Sequence, residues 1–163
     1  VLAMNENKYD FHFTLLDMVP SGDTFECIVS NEDELCLVFP KSYPAERKTA
    51  DFSRLRGERF IIASESDSPA LFAQIMKVCN ARNYQPKIIN RYDRTEAVML
   101  SVGAGLGISI IPKASSKVFF SQEVDVVPIG GPDVMRTYVV AWHKGMTNPA
   151  ALLFLDAIRE LVK

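Results

Sequence analysis

From Arg59 onward the chain alternates between two hydrophobic periods, and that alternation leaves few folds open. A β-rich run FIIAS at 60–64 gives way to a segment with helical spacing from Pro69 to about Asn83. The strand-like run PKIINR follows at 86–91, then a helical pattern near 95–104 and a third strand-like run at 107–111. The order strand, helix, strand, helix, strand predicts a mainly parallel sheet with helices on its faces, joined by right-handed crossovers. Two further strand-like runs, VDVVPI at 124–129 and MRTYVVAWHK at 135–144, precede an amphipathic C-terminal helix predicted from Pro149 to Val162.

Upstream, the residue types are those of strands. YDFHFTLL at 9–16 and TFECIVS at 24–30 are rich in aromatic and β-branched residues, and the turn composition Pro20-Ser-Gly-Asp23 separates them. Glu34-Leu-Cys-Leu-Val-Phe-Pro40 is continuously apolar and stops at proline, the pattern of a strand buried on both faces. The polar stretch Lys41 to Lys48 then reads as a crossing between lobes.

A chain of 163 residues that is 48% hydrophobic and 23% charged can bury a core as one domain or two small lobes. Its 18 basic and 20 acidic residues leave a net charge of -2, without the basic excess that phosphate-backbone binding needs, so nucleic acid is not an expected direct partner of this chain. Three cysteines, Cys27, Cys36 and Cys79, form no CxxC pair and suggest neither a disulfide framework nor a zinc site, which fits a reducing cytoplasm. The opening VLAMNENKYD lacks the basic start and apolar core of a signal peptide, and no apolar run approaches membrane-spanning length. Secretion and a membrane span are both disfavoured.

The stretch EAVMLSVGAGLGISIIP, from Glu96 to Pro112, holds Gly103, Gly105 and Gly107 between two apolar runs. A dinucleotide-binding turn places its glycines after a strand and before a helix. Here the order is reversed, helix first and strand second, so the glycines are expected to end a helix and start a strand. The loops with the geometry for an anion lie elsewhere. Ser64-Glu-Ser-Asp-Ser-Pro69 follows the first strand of the alternation, with Ser68 placed to cap a helix and Pro69 suited to its first turn. Arg91-Tyr-Asp-Arg-Thr-Glu96 follows the second, and Asp93 with Glu96 has capping-box spacing. Both loops lie at carboxyl ends of parallel strands and before helix N-termini, where a small anionic ligand would fit. The same residues also serve as routine helix caps that need no ligand.

No catalytic constellation stands out. His12 and His143 lie in strand patterns without a neighbouring His, Cys or carboxylate at ligand spacing, and read as structural or solvated histidines. The serines include no GxSxG elbow. Cys27 and Cys36 read as small core residues of strands, Cys79 as the buried face of a helix, and Phe72, Met99 and Leu100 as core. Glu32-Asp33-Glu34 reads as a solvated strand entry. Neither a metal nor a cofactor is indicated.

In chain order, KYDFHFTLL, ELCLVFPKSYP, DFSRLRGERFIIAS, the YQPKI strand, AVMLSVGAGLGISIIPKA, YVVAWHK and a final helix together resemble the effector-binding domain of LysR-type transcriptional regulators. The resemblance covers essentially the whole chain, and VGAGLGISIIP is its most specific part. It implies an α/β fold like the two-lobed type 2 periplasmic binding proteins, with a small-molecule effector held between lobes and no bond made or broken. Lobe I would comprise 1–41 and 125–163, and lobe II 42–124, with crossings near Pro40 to Pro44 and Val124 to Val127. In the family the loop after the first strand of the second lobe contacts effector, which maps onto Ser64, Glu65, Ser66, Asp67 and Ser68; the next strand-to-helix loop, Asp93 to Thr95, lies toward the same cleft. The family's winged helix-turn-helix, through which DNA would be bound, is not in this sequence. Val1 to Asn7 look like the end of a helix that precedes the YDFHFTLL strand, and the first lobe is expected to be incomplete. An exposed sheet edge and the family's habit of association imply a homodimer. A transporter's solute-binding protein and an enzyme on the same architecture are the alternatives.

Overall fold

The structure, a computed structural model, describes residues 8–118 and 122–161. In chain order it contains strands β1 (His12–Leu15), β2 (Phe25–Pro40) and β3 (Arg59–Ala63), helix α1 (Pro69–Ala81), strand β4 (Lys87–Tyr92), helix α2 (Thr95–Gly103) and strand β5 (Ser109–Pro112). Helix α3 (Lys113–Val118), strands β6 (Val124–Pro128) and β7 (Met135–His143), and helix α4 (Pro149–Leu161) complete it. The chain divides into two compact units, one of residues 34–135 and one of the residues before and after that span.

The unit 34–135 is a sheet layer between two helices. Along β2, alternate side chains leave opposite faces. Leu35, Leu37 and Phe39 join Phe60 and Ile62 of β3 and the buried face of α1, namely Leu71, Ile75, Val78 and Cys79. Cys36, Val38 and Ile61 meet the other helix, α2, through Val98, Met99 and Val102. Every residue from Leu35 to Phe39 is fully buried, so the apolar run is buried on both faces as its composition predicts. Leu100 departs from its expected core place: it is 56% exposed, because Val98, Met99, Ser101 and Val102 bury one face of the helix and position 100 lies on the opposite one.

The parallel character is narrower than the strand and helix alternation predicts. β3 and β4 form a parallel pair, extended by a single parallel bridge from Phe60 to Ile108. β5 and β6 instead pair antiparallel with β2, Leu35 opposite Pro112 and Cys36 opposite Pro128. The expected break between the strands at 24–30 and 34–40 is absent: β2 is continuous over 16 residues. Ser30 to Glu34 are polar, yet none of them is a glycine or proline that would end an extended backbone.

In the second unit β7 pairs antiparallel with β1, His12 opposite Ala141 through Leu15 opposite Tyr138, and lies beside β2 in the sheet order. Val139 and Ala141 are buried against Val19 and Phe25. Phe11 packs edge-on against Trp142 and Phe154, ring centroids 6.4 and 5.1 Å apart, and α4 buries Ala151, Leu155 and Ile158. Cys27 is exposed on β2, which corrects its expected core place; Cys36 and Cys79 are buried. The helix end expected at Val1 to Asn7 lies outside the described residues.

The glycine stretch is a helix-to-strand connection. Gly105 has φ +78, and the bonds from Gly105 N to Val102 O (2.8 Å) and from Leu106 N to Ser101 O (3.1 Å) form a Schellman cap on α2. Gly107 is needed for space: a Cβ there would stand 2.5 Å from the Arg59 carbonyl oxygen of β3.

Candidate functional site

The two loops singled out by the sequence come together at the carboxyl ends of β3 and β4. The parallel ladder extends one step past β3, where Ser64 N–H donates to the Tyr92 carbonyl at 2.9 Å and ties one loop to the end of the other strand. Ser64 to Ser68 then make a single tight turn closed by Ser68 N–H to Ser64 O at 3.0 Å. Ser68 occupies the N-cap position of α1 and Pro69 its first turn, as the sequence predicts, though the Ser68 side chain makes no capping bond.

Within the turn the side chains form a chain of hydrogen bonds. Ser64 Oγ and Ser66 Oγ are 2.6 Å apart, and Ser66 Oγ donates to Asp67 Oδ2 at 2.8 Å. Asp67 also interacts with the Asp93 carboxyl from the neighbouring loop. The Ser66 hydroxyl and the Asp93 carboxyl hold Asp67 below the usual carboxylate range, while the Asp67 carboxyl and its charge push Asp93 up. The two carboxyls titrate as an interacting pair, in which the proton favours Asp93 over Asp67.

This interaction stands in place of the capping box expected of Asp93 and Glu96. The N-cap of α2 is Arg94, one residue later, and it makes no side-chain capping bond. Asp93 therefore lies just outside the helix with its side chain turned to Asp67. Thr95 is the first residue of α2 and is half-buried; Glu65 is exposed in the turn. Four of the seven predicted residues, Ser64, Ser66, Asp67 and Ser68, thus belong to one hydrogen-bonded network, and a fifth, Asp93, interacts with it through Asp67, at the starts of two helices. Glu65 and Thr95 flank it without a bond to it.

Two further features, one beside this network and one at the amino end of β3, were not singled out from sequence. Arg91 sets its guanidinium over the Phe72 ring of α1 at 5.8 Å, bringing a cation to the half-buried aromatic in the first turn of that helix. A small cavity of about 110 Å³ lies under the glycine turn, lined by residues that include Tyr43, Glu58, Gly105 and Gly107. Burial and the nearby Glu58 carboxylate push the Tyr43 phenol up to about 12. A cation–aromatic contact between a strand and a helix has no signature in sequence spacing.

Among the described residues no group of three or more His, Cys, Asp or Glu could hold a metal ion, and no helix is long and apolar enough to cross a membrane. The network offers hydroxyls, a pair of interacting carboxyls and two helix starts, which is equipment for recognition by hydrogen bonding.

The family model described as LysR substrate binding domain matches residues 3–163. HTH-type transcriptional regulator YybE of Bacillus subtilis is 26% identical over 162 residues, covering 90% of this chain and 54% of its own. Hca operon transcriptional activator HcaR of Escherichia coli is 30% identical over 131 residues, 79% of this chain and 44% of its own. The chain thus spans about half the length of these curated relatives. Among solved structures, the effector binding domain of QuiR in complex with shikimate superposes with a TM-score of 0.76 at 24% identity, covering 99% of this chain and 75% of that one. The regulatory domain of Synechocystis PCC6803 CcmR in complex with 2-PG gives 0.79 at 18% identity, with 99% and 77% covered.

Proposed function

The chain belongs to the LysR substrate binding domain family, and we propose that it senses a small polar molecule for a longer bacterial transcriptional regulator. The observation that carries this reading is the family match over residues 3–163, in a fold shared with solved domains that hold shikimate and 2-PG. Effector contacts are assigned to Ser64, Glu65, Ser66, Asp67 and Ser68 after β3 and to Asp93 and Thr95 after β4. Residues 42–124 act together as the effector-contacting lobe, and residues 1–41 with 125–163 form the other. DNA is bound by a helix-turn-helix domain elsewhere in the protein, the regulator works in the cytoplasm as a homodimer, and no chemistry is performed on the effector.

For sensing, the effector must bind two arrangements of the regulator with different affinity; equal affinity would shift nothing. The Ser64–Ser66–Asp67–Asp93 network supports such a difference, because an effector hydroxyl or carboxylate inserted there exchanges internal bonds for bonds to itself.

A thermal-shift screen of this chain against small carboxylates, sugar acids, amino acids and polyols tests the reading. A ligand at 100 times its dissociation constant adds about 2.7 kcal/mol of stability. The expected outcome is one chemical class that raises the transition, with the rise abolished by Ser66→Ala. A rise that survives both Ser66→Ala and Asp93→Asn would remove the effector site from these loops.

A further inference from the structure

The unit that holds α4 carries a cavity of its own, about 220 Å³, where the loop from β7 to α4 meets Tyr9 and Asp10. Its wall is formed by Tyr9 and Asp10 together with His143, Gly145, Met146, Thr147 and Asn148. None of these residues belongs to the serine and aspartate network.

Two polar side chains in the wall are each half used by the protein. Gly145 N–H donates to His143 Nδ1 at 3.0 Å, which places the ring proton on Nε2 and leaves that N–H as a donor. The ring is held edge-on to Phe25, centroids 5.7 Å apart. Asp10 accepts at Oδ2 from Asn148 Nδ2 at 2.9 Å, leaving Oδ1 without a partner among the described residues. Asn148 also accepts, through Oδ1, the Ala150 N–H at 3.1 Å, so the residue that caps α4 also fixes Asp10. Met146 N–H to His143 O at 3.0 Å closes the loop.

The wall therefore presents one negative acceptor and one fixed donor. Asn148, in the same wall, caps the start of α4, the end of a helix that favours negative charge. Aromatic and hydroxyl groups, Tyr9 and Thr147, complete the lining. At about 30 Å³ of liquid volume per water, the space corresponds to roughly seven waters, the size of a small metabolite. A ligand that satisfies both groups carries an ammonium for Asp10 and a carboxylate for His143 Nε2–H. We propose that this cavity binds the zwitterion of a small α-amino acid, at a site separate from the effector loops.

The test is a titration of the chain with L-alanine followed by the NMR signals of the His143 ring, with acetate and methylamine as probes that each keep one charge. The expected result is a saturable shift with alanine and binding about tenfold or more weaker for each half-molecule. Asp10→Asn removes the alanine response while the amide spectrum stays that of the folded chain, and Ser66→Ala leaves the response intact. If Asp10→Asn unfolds the chain, His143→Phe takes its place, read on the amide signals of Gly145, Met146, Thr147 and Asn148 in the cavity wall. The proposal is overturned by no saturable shift into tens of millimolar alanine, by acetate binding as well as alanine, by a response that survives Asp10→Asn, or by one that Ser66→Ala removes.

Discussion

Replacing Gly107 by alanine is the most direct challenge to this account of the glycine stretch. Gly107 does not occupy the left-handed region, so alanine carries no backbone penalty there. The cost is steric: the new Cβ would stand 2.5 Å from Arg59 O, 3.2 Å from Arg59 C and 3.3 Å from Ile61 Cγ1. The nearest atom is backbone, and it is held, because Arg59 O accepts from Ile108 N at 2.8 Å and Ile61 N donates to Ile108 O at 2.9 Å. Relief requires β3 and β5 to part and weakens both bonds. Overpacking of about 1–3 kcal/mol plus part of two hydrogen bonds at about 1 kcal/mol each gives roughly 2–4 kcal/mol. For a chain of this size that is a fall in Tm of roughly 5–15 °C by circular dichroism. Gly105→Ala is the control, since its Cβ meets nothing nearer than Ser42 Oγ at 3.9 Å but its φ is +78. It should lose only about 1–2 kcal/mol. If Gly107→Ala melts within about 2 °C of the parent, or less destabilised than Gly105→Ala, the close-approach reasoning is wrong.

Arg82 donates to Asp133 through both terminal nitrogens, at 2.6 and 3.2 Å, and to the Gly130 and Val78 carbonyls. Arg82→Ala should cost roughly 2 kcal/mol in urea unfolding at neutral pH. Arg82 holds Asp133 below its usual range, so this stability is present above the ordinary carboxylate value and lost as pH falls through the lower folded one. The gap between parent and variant should therefore close in acid; a gap that widens would refute the pairing. Burial pushes Tyr84 up to about 12, and its hydroxyl donates to Leu55 O at 2.8 Å. That stabilisation is complete below the ordinary phenol value near 10 and disappears as pH rises through about 12, so ultraviolet titration should show Tyr84 and Tyr43 ionising only near 12, and Tyr84→Phe should lose the Tyr84 step. For the thiols, burial raises Cys79 to about 11 and Cys36 is enclosed, so a thiol reagent should label one cysteine, Cys27, in the native chain and all three after denaturation. Rapid native labelling of Cys79 would contradict the packing of α1.

Local pattern reached far into this fold where local physics decides the outcome. Helical spacing placed α1, α2 and α4 because each buries one face, and the reversed order of helix and strand identified the glycines as a cap and a close approach. The continuity of β2 and the antiparallel pairing of β5 and β6 were not legible, since strand direction is set by partners distant in sequence. Helix α3, over KASSKV, has no apolar period to announce it. Cys27 and Leu100 were misplaced for one reason: both are apolar residues in apolar neighbourhoods, and only the face each occupies decides its exposure.

The candidate site divides along the same line. Its location follows from chain order, since loops at the carboxyl ends of parallel strands precede helix starts, and Ser64 to Ser68 and Asp93 converge there. Its electrostatics do not follow, because the anion-receptive starts of α1 and α2 are met by the protein's own aspartates, which interact with one another instead of capping. An anionic effector entering these loops would face carboxylate charge and benefit from protonation of the pair, so its affinity would rise as pH falls; a cationic effector would favour the ionised pair and bind more tightly as pH rises. The sign of the pH dependence, measured on whichever ligand the screen returns, therefore reports whether the pair is met by like or by opposite charge, a question that spacing in the sequence could raise and only the contact between Asp67 and Asp93 makes answerable.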